Sequence, residues 1–152
     1  MLKAFIIICL FLIDLISKQY ILYLIPLNSF LSITFFFDIT HIHNFGISFG
    51  LLSGFFSYWL FAFIGIIVTI FLCIMYFQST NILEKWGFII IISGAISNIF
   101  DRLINGFVVD FIYFHYQEFF WPAFNFADIY ITTGVLIIVL HILKNLHKKI
   151  IK

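Results

Sequence analysis

Charge is scarce in this sequence. Of its 152 residues, 10% are Asp, Glu, Lys or Arg and 64% are hydrophobic. A soluble domain has about a quarter charged and about half apolar residues. So little polar surface excludes a single apolar core wrapped in solvated side chains. With a mean hydropathy of +1.18, the chain reads as an integral membrane protein. A net charge of +1 gives no basis for nucleic-acid binding. Cysteine is nearly absent. Cys9 and Cys73 lie in apolar runs, with no CxxC or metal-type spacing, and read as small packed or lipid-facing residues. Proline and glycine are also few (2 and 8). Phe and Ile dominate, a bias of coding composition that carries no functional weight. No repeat, low-complexity tract or second domain is visible, so residues 1–152 read as one integral membrane domain.

What is present is apolar runs of spanning length, each needing ~20 residues. Four can be drawn: about Ala4 to Leu24, Phe56 to Phe77, about Trp86 to Ile104, and about Phe124 to Leu143. Lys3 and the first run suit a signal peptide. But Asp14 interrupts the run and no small-x-small cleavage site follows, so an uncleaved span is the better reading. Lys3 precedes span one, Lys85 lies between spans two and three, and Lys144, Lys148, Lys149 and Lys152 follow span four. The connections from Pro26 to Gly54 and from Asn105 to Pro122 contain no Lys or Arg. The positive-inside rule then makes both termini cytoplasmic and turns those two connections outward.

This orientation places Asp14 near mid-span and Lys18, Asn98, Asp101, Arg102, Asn125 and Asp128 in the outer half, with Asp110 just beyond span three. A charge at mid-bilayer costs ~2.5–3.5 kcal/mol on insertion scales, and a shared depth suggests one polar pocket. Asp14 and Lys18 are spaced i, i+4 and read as a self-neutralising pair. Asn98, Asp101 and Arg102 share a face of span three, and Asn125 and Asp128 a face of span four. Such residues also serve plain interhelical hydrogen bonding. Asp110 and Asp128 have no basic neighbour in local sequence. If they face each other they can share one proton, as in an aspartic protease dyad. Intramembrane acids also build proton relays, so both readings stand at this point.

Between the first two spans, Ile33, Phe35, Phe37 and Ile39 alternate with Ser32, Thr34, Asp38 and Thr40, apart from Phe36. This predicts a small outer β element at the membrane surface. Tyr113, Tyr116, Phe119, Phe120 and Trp121 form an aromatic stretch suited to the interface. Gly46 to Gly50 reads G-x-S-x-G, but a nucleophile elbow needs an α/β sheet that four spans do not offer. Asp38, His41 and His43 lack a further ligand set or an HExxH motif, so His41 and His43 read as surface histidines and no metal is expected.

Ordered blocks carry a resemblance. They are Asp14-Leu15-Ile16-Ser17-Lys18; Asn44-Phe45-Gly46-Ile47-Ser48-Phe49-Gly50; Ser93-Gly94-Ala95-Ile96-Ser97-Asn98-Ile99-Phe100-Asp101-Arg102; Gly106-Phe107-Val108-Val109-Asp110-Phe111-Ile112; and Trp121-Pro122-Ala123-Phe124-Asn125-Phe126-Ala127-Asp128. Together they resemble the bacterial lipoprotein signal peptidase family (signal peptidase II). Ser48 stands where the family has Ala, and Ser93 and Ser97 where it has Gly; all are small, so close helix packing should survive.

The resemblance implies an all-α membrane fold of four transmembrane helices with an extracytoplasmic β element. It implies a catalytic dyad at Asp110 and Asp128, substrate-binding positions at Asn44, Asn98, Arg102 and Asn125, and supporting polar positions at Asp14, Lys18 and Asp101. The implied reaction is hydrolysis of the bond before a diacylglyceryl-modified cysteine in a prolipoprotein. The partners are that substrate and membrane lipids. The implied place is the bacterial cytoplasmic membrane with the site on its outer side. No cofactor is implied. A proton-coupled carrier, the rival reading, needs polar groups reachable from both sides, often at a repeat interface; here most charges lie toward one side.

Overall fold

The computed structural model describes residues 1–46 and 56–150. The chain forms helices α1 (Leu2–Leu24), α2 (Tyr58–Gln78), α3 (Ile82–Asn105) and α4 (Phe126–Ile150). All four are long and apolar enough to cross a membrane. Strands β1 (Phe30–Thr34) and β2 (Phe37–Asn44) follow α1, and β3 (Val108–Tyr116) and β4 (Phe119–Phe120) follow α3. They form one antiparallel sheet in the order β1-β2-β3-β4. Both strand pairs lie between helix ends on the same side, so the sheet sits at one end of the bundle. The chain start, the α2–α3 connection and the end of α4 lie at the other.

Helix boundaries follow from local chemistry. Asn81 begins α3 by accepting the N–H groups of Leu83 and Glu84 through its side-chain oxygen (2.8 and 3.3 Å). Gly106 ends it at φ +80°, a conformation open to glycine, and its N–H returns to the Arg102 carbonyl. The third and fourth spans begin a few residues from their expected starts, Ile82 against Trp86 and Phe126 against Phe124.

The alternation at residues 32–40 is a hairpin rather than one strand. Phe36, the break in the pattern, lies in the turn between β1 and β2. The second connection carries β3, which composition presented only as an aromatic stretch. The run Val108-Val109-Asp110-Phe111-Ile112 is β-branched and aromatic and follows Gly106, a strand signature. These five residues are buried. On one side Val109 and Phe111 pack with Ile21 of α1, and Ile112 joins the same cluster.

Helix α3 is the centre of the bundle, with ten buried residues from Gly87 to Asp101, whereas α2 buries Phe61 and Ala62. Gly94 and Gly134 set the approach of α3 to α4. A methyl on Gly94 would collide with the Ala127 carbonyl oxygen, and one on Gly134 would lie 2.6 Å from the Gly87 carbonyl oxygen. Backbone atoms cannot swing aside as a side chain can. Gly94→Ala is therefore expected to lower stability by ~1–3 kcal/mol, the usual cost of overpacking. It should also displace Ala127, the residue before Asp128. Thermal unfolding in detergent measures the first effect; an unchanged midpoint would mean that this helix contact is looser than described.

Candidate active site

Two short tethers bring distant segments together at the sheet end. The N–H groups of Phe111 and Ile112 donate to the Phe124 carbonyl (3.0 and 2.8 Å), and Phe124 N–H returns to Ile112 (3.0 Å). This clips the approach to α4 onto β3, so Asn125 lies beside Asp110. On the other flank, β2 pairs with β3 in a register that sets Ile42 opposite Asp110 and Asn44 opposite Val108.

Asn125 is the hub. It precedes α4 rather than sharing a helical face with Asp128. Its side-chain oxygen accepts Asp128 N–H (3.0 Å), and Asp128 Oδ2 accepts Asn125 N–H (3.3 Å). This reciprocal pairing is a capping box with an acid at its third helical position. The Asn125 amide nitrogen donates to Asp110 Oδ1 (2.6 Å). The remaining oxygens are held by other amides: Asn44 donates to Asp110 Oδ2 (2.9 Å) and Asn98 to Asp128 Oδ1 (3.0 Å). Burial pushes the Asp110 carboxyl up and the Asp128 charge pushes it further; the Asn44 and Asn125 amides and Lys18 pull it back, leaving it at about 7.

A second polar cluster lies behind the first. The Lys18 ammonium is fully buried; it donates to Asn98 Oδ1 (2.9 Å) and forms ion pairs with Asp14 Oδ2 (2.6 Å) and Asp101 Oδ2 (2.8 Å). Asp14 also accepts Ser97 Oγ (2.5 Å) and the Ala127 N–H (2.8 Å). That amide is among the first of α4, which have no intrahelical partner. Asp14 thus joins α1 to α3 and to the start of α4. The expected Asp14–Lys18 pair is present, but as part of a larger network. Asn98 couples the two clusters, with its oxygen on Lys18 and its nitrogen on Asp128.

Asn98, Asp101 and Arg102 share a face of α3 but also meet different neighbours. Asp101 meets Lys18, while Asn98 and Arg102 line a cavity of about 320 Å³ with Asn44 and Asp128. Arg102 donates to the Asn98 and Gly46 carbonyls (3.0 and 2.7 Å). Phe61, Val68 and Ile131 supply apolar wall. A second cavity, of about 270 Å³, lies along Trp121, Phe124, Ile129 and Thr132 and also reaches Asp128. The Asp128 carboxyl therefore stands where two largely apolar spaces meet.

Two residues carry more than their sequence reading gave. Ser97 is a donor to Asp14 rather than merely a small residue; its i, i+4 spacing from Asp101 was the available signal. His41 is buried, not a surface histidine. Its Nδ1 donates to the Ile25 carbonyl (2.7 Å), so its Nε2 accepts from His43 Nε2 (2.9 Å). Burial and His41 hold the His43 pKa below its ordinary value. No cluster of three potential metal ligands occurs among the described residues. Ile47 to Gly50, the rest of the second motif, lie outside the described residues.

Comparison with known proteins agrees in sequence and in fold. Residues 6–144 match the family model for signal peptidase (SPase) II. The lipoprotein signal peptidase of Pseudoalteromonas atlantica is 37% identical over 139 residues, covering 89% of this chain and 85% of that protein. That of Pasteurella multocida is 35% identical, covering 91% and 86%. A bacterial membrane enzyme solved by the in meso method at 2.3 Å resolution superposes with a TM-score of 0.88 at 29% identity, covering 97% of this chain and 90% of the other.

Proposed function

Because this chain belongs to the signal peptidase II family of membrane peptidases, whose activity is the removal of signal peptides from prolipoproteins, we propose that it does so as an aspartic endopeptidase with Asp110 and Asp128 as its catalytic pair. The observation that carries this reading is the joint grip of Asn125 on both carboxyls. Asp110 holds the shared proton and polarises the scissile carbonyl. Asp128 takes a proton from the attacking water. The titration belongs to the pair rather than to either acid.

The scissile bond is the one before the diacylglyceryl-modified cysteine. Asn44, Asn98, Arg102 and Asn125 contact the substrate backbone, and the apolar cavity walls receive its side chains and lipid. Asp14, Lys18 and Asp101 hold the helices that present the pair. The chain acts as one domain of the bacterial inner membrane, with cytoplasmic termini and the sheet on the outer side. In this orientation the substrate's signal helix and lipid stay in the bilayer while its cysteine reaches water.

Reconstitution with a lipid-modified prolipoprotein tests the reading. The product should begin at the modified cysteine, as read by mass spectrometry, and EDTA should leave cleavage intact. Cleavage at another bond, or loss with chelator, contradicts it. A pH profile tests the role of Asp110. The rate should fall as pH rises through about 7, where the pair loses the proton held on Asp110. The Asn44 N–H favours the ionised carboxyl, so Asn44→Ala should move this alkaline limb to higher pH. A limb that stays in place or moves down would assign the proton elsewhere.

A further inference from the structure

At the bundle end opposite the sheet lies a cavity of about 610 Å³ that the proposed reaction does not use. Its apolar lining includes Ile7, Cys73, Phe77, Trp86, Ile89 and Ile92. Lys3 lines the cavity, and Lys85 lies beside its Tyr76 wall. Lys3 donates to the Tyr76 hydroxyl (3.2 Å) and stands 5.2 Å from the centre of that ring. Lys85, from the start of α3, stands 5.6 Å from the same ring. Among the described residues, neither lysine has a carboxylate partner. Glu84, adjacent to Lys85 in sequence, accepts Ser79 Oγ (2.7 Å) and lies 3.7 Å from His141.

Both ammonium groups thus have the same neutral ring as a compensating contact and no carboxylate among the described residues. A phosphodiester beside them would neutralise both, with the Tyr76 hydroxyl as a further polar contact. The groove below is formed by residues of α1, α2 and α3, three helices long and apolar enough to cross a membrane. Lys85 precedes Arg102 by 17 residues on α3, which is ~25 Å along a helix. A ligand here would thus leave the Asp110–Asp128 site free. Basic pockets between spanning helices take up lipid headgroups in this manner.

We propose that this end of the bundle is a binding site for an anionic glycerophospholipid, with the phosphate between Lys3 and Lys85 and one acyl chain along Cys73, Ile89 and Ile92. Native mass spectrometry and thermal unfolding of the detergent-solubilised chain test it, with phosphatidylglycerol, phosphatidylcholine and inorganic phosphate as probes. Phosphatidylglycerol should give a one-to-one adduct and raise the unfolding midpoint; the other two should do neither. Lys3→Gln with Lys85→Gln should weaken binding about twenty-five-fold, each lysine contributing about a factor of five. Cys73→Trp keeps both charges and fills the groove, so it should also abolish the adduct. Both variants should cleave prolipoprotein at the wild-type rate in detergent, which shows that they are folded. Equal binding of phosphatidylcholine, or unchanged affinity in either variant, overturns the proposal. Binding of inorganic phosphate alone would reduce it to an anion site and overturn the acyl-chain assignment.

Discussion

Asp110→Asn and Asp128→Asn are each expected to slow prolipoprotein cleavage by roughly a thousandfold, within the 10²–10⁴ that a positioned acid or base contributes. The amide keeps the shape of the carboxyl, so the change is chemical rather than steric. At position 110 it cannot give a proton to the scissile carbonyl's oxygen as an acid does, and it places a donor among the Asn44 and Asn125 amide donors. At position 128 it cannot accept a proton from water, though its oxygen can still receive the Asn125 N–H of the capping box. Groups that act as a unit lose their contributions together. The double variant should therefore be little slower than the worse single one. Initial rates on a lipid-modified substrate, with unfolding midpoints as a control for folding, decide the matter. Near-wild-type cleavage by either folded variant would remove that acid from the chemistry.

The spans were legible because 20-residue apolar runs have few other uses, and the motif order pointed to the residues that meet in the site. What remained hidden was long-range pairing. Nothing near Asp14 in sequence signals that its carboxylate accepts the Ala127 N–H, a partner 113 positions away. Asn125 looked like a helical neighbour of Asp128, since i, i+3 spacing suits both a shared face and a capping box. The distinction depends on where α4 starts, and boundary position is weakly encoded. His41 shows the same gap. A histidine in an alternating strand has no local sign of burial, which here comes from the carbonyl of Ile25 at the end of α1 and from its neighbour His43. The sheet was undercounted for a related reason. β3 is hidden on both sides at its start, so it lacks the alternation that revealed the first hairpin.

Lys18→Met should be the most damaging change to stability, by ~3–5 kcal/mol, the cost of removing one partner from a buried ion pair. Methionine can occupy much of the space of the lysine stem, so the loss is electrostatic. Asp14 and Asp101, both buried, would be left without their cation, and Asn98 Oδ1 without its donor. Removing those charges as well separates this cause from simple misfit. Lys18→Met combined with Asp14→Asn and Asp101→Asn should recover part of the lost stability, because an uncharged cluster has no unpaired ion to bury. Activity gives a second readout. Lys18 holds the Asn98 amide so that its nitrogen meets Asp128. The rate per folded molecule should consequently fall roughly tenfold, the worth of one hydrogen bond of about 1–1.5 kcal/mol. Denaturant titration in detergent and active-site-normalised rates measure the two effects. A Lys18→Met protein as stable as wild type would show that Asp14 and Asp101 can be accommodated there without the lysine. A triple variant no more stable than the single one would place the loss in packing rather than charge.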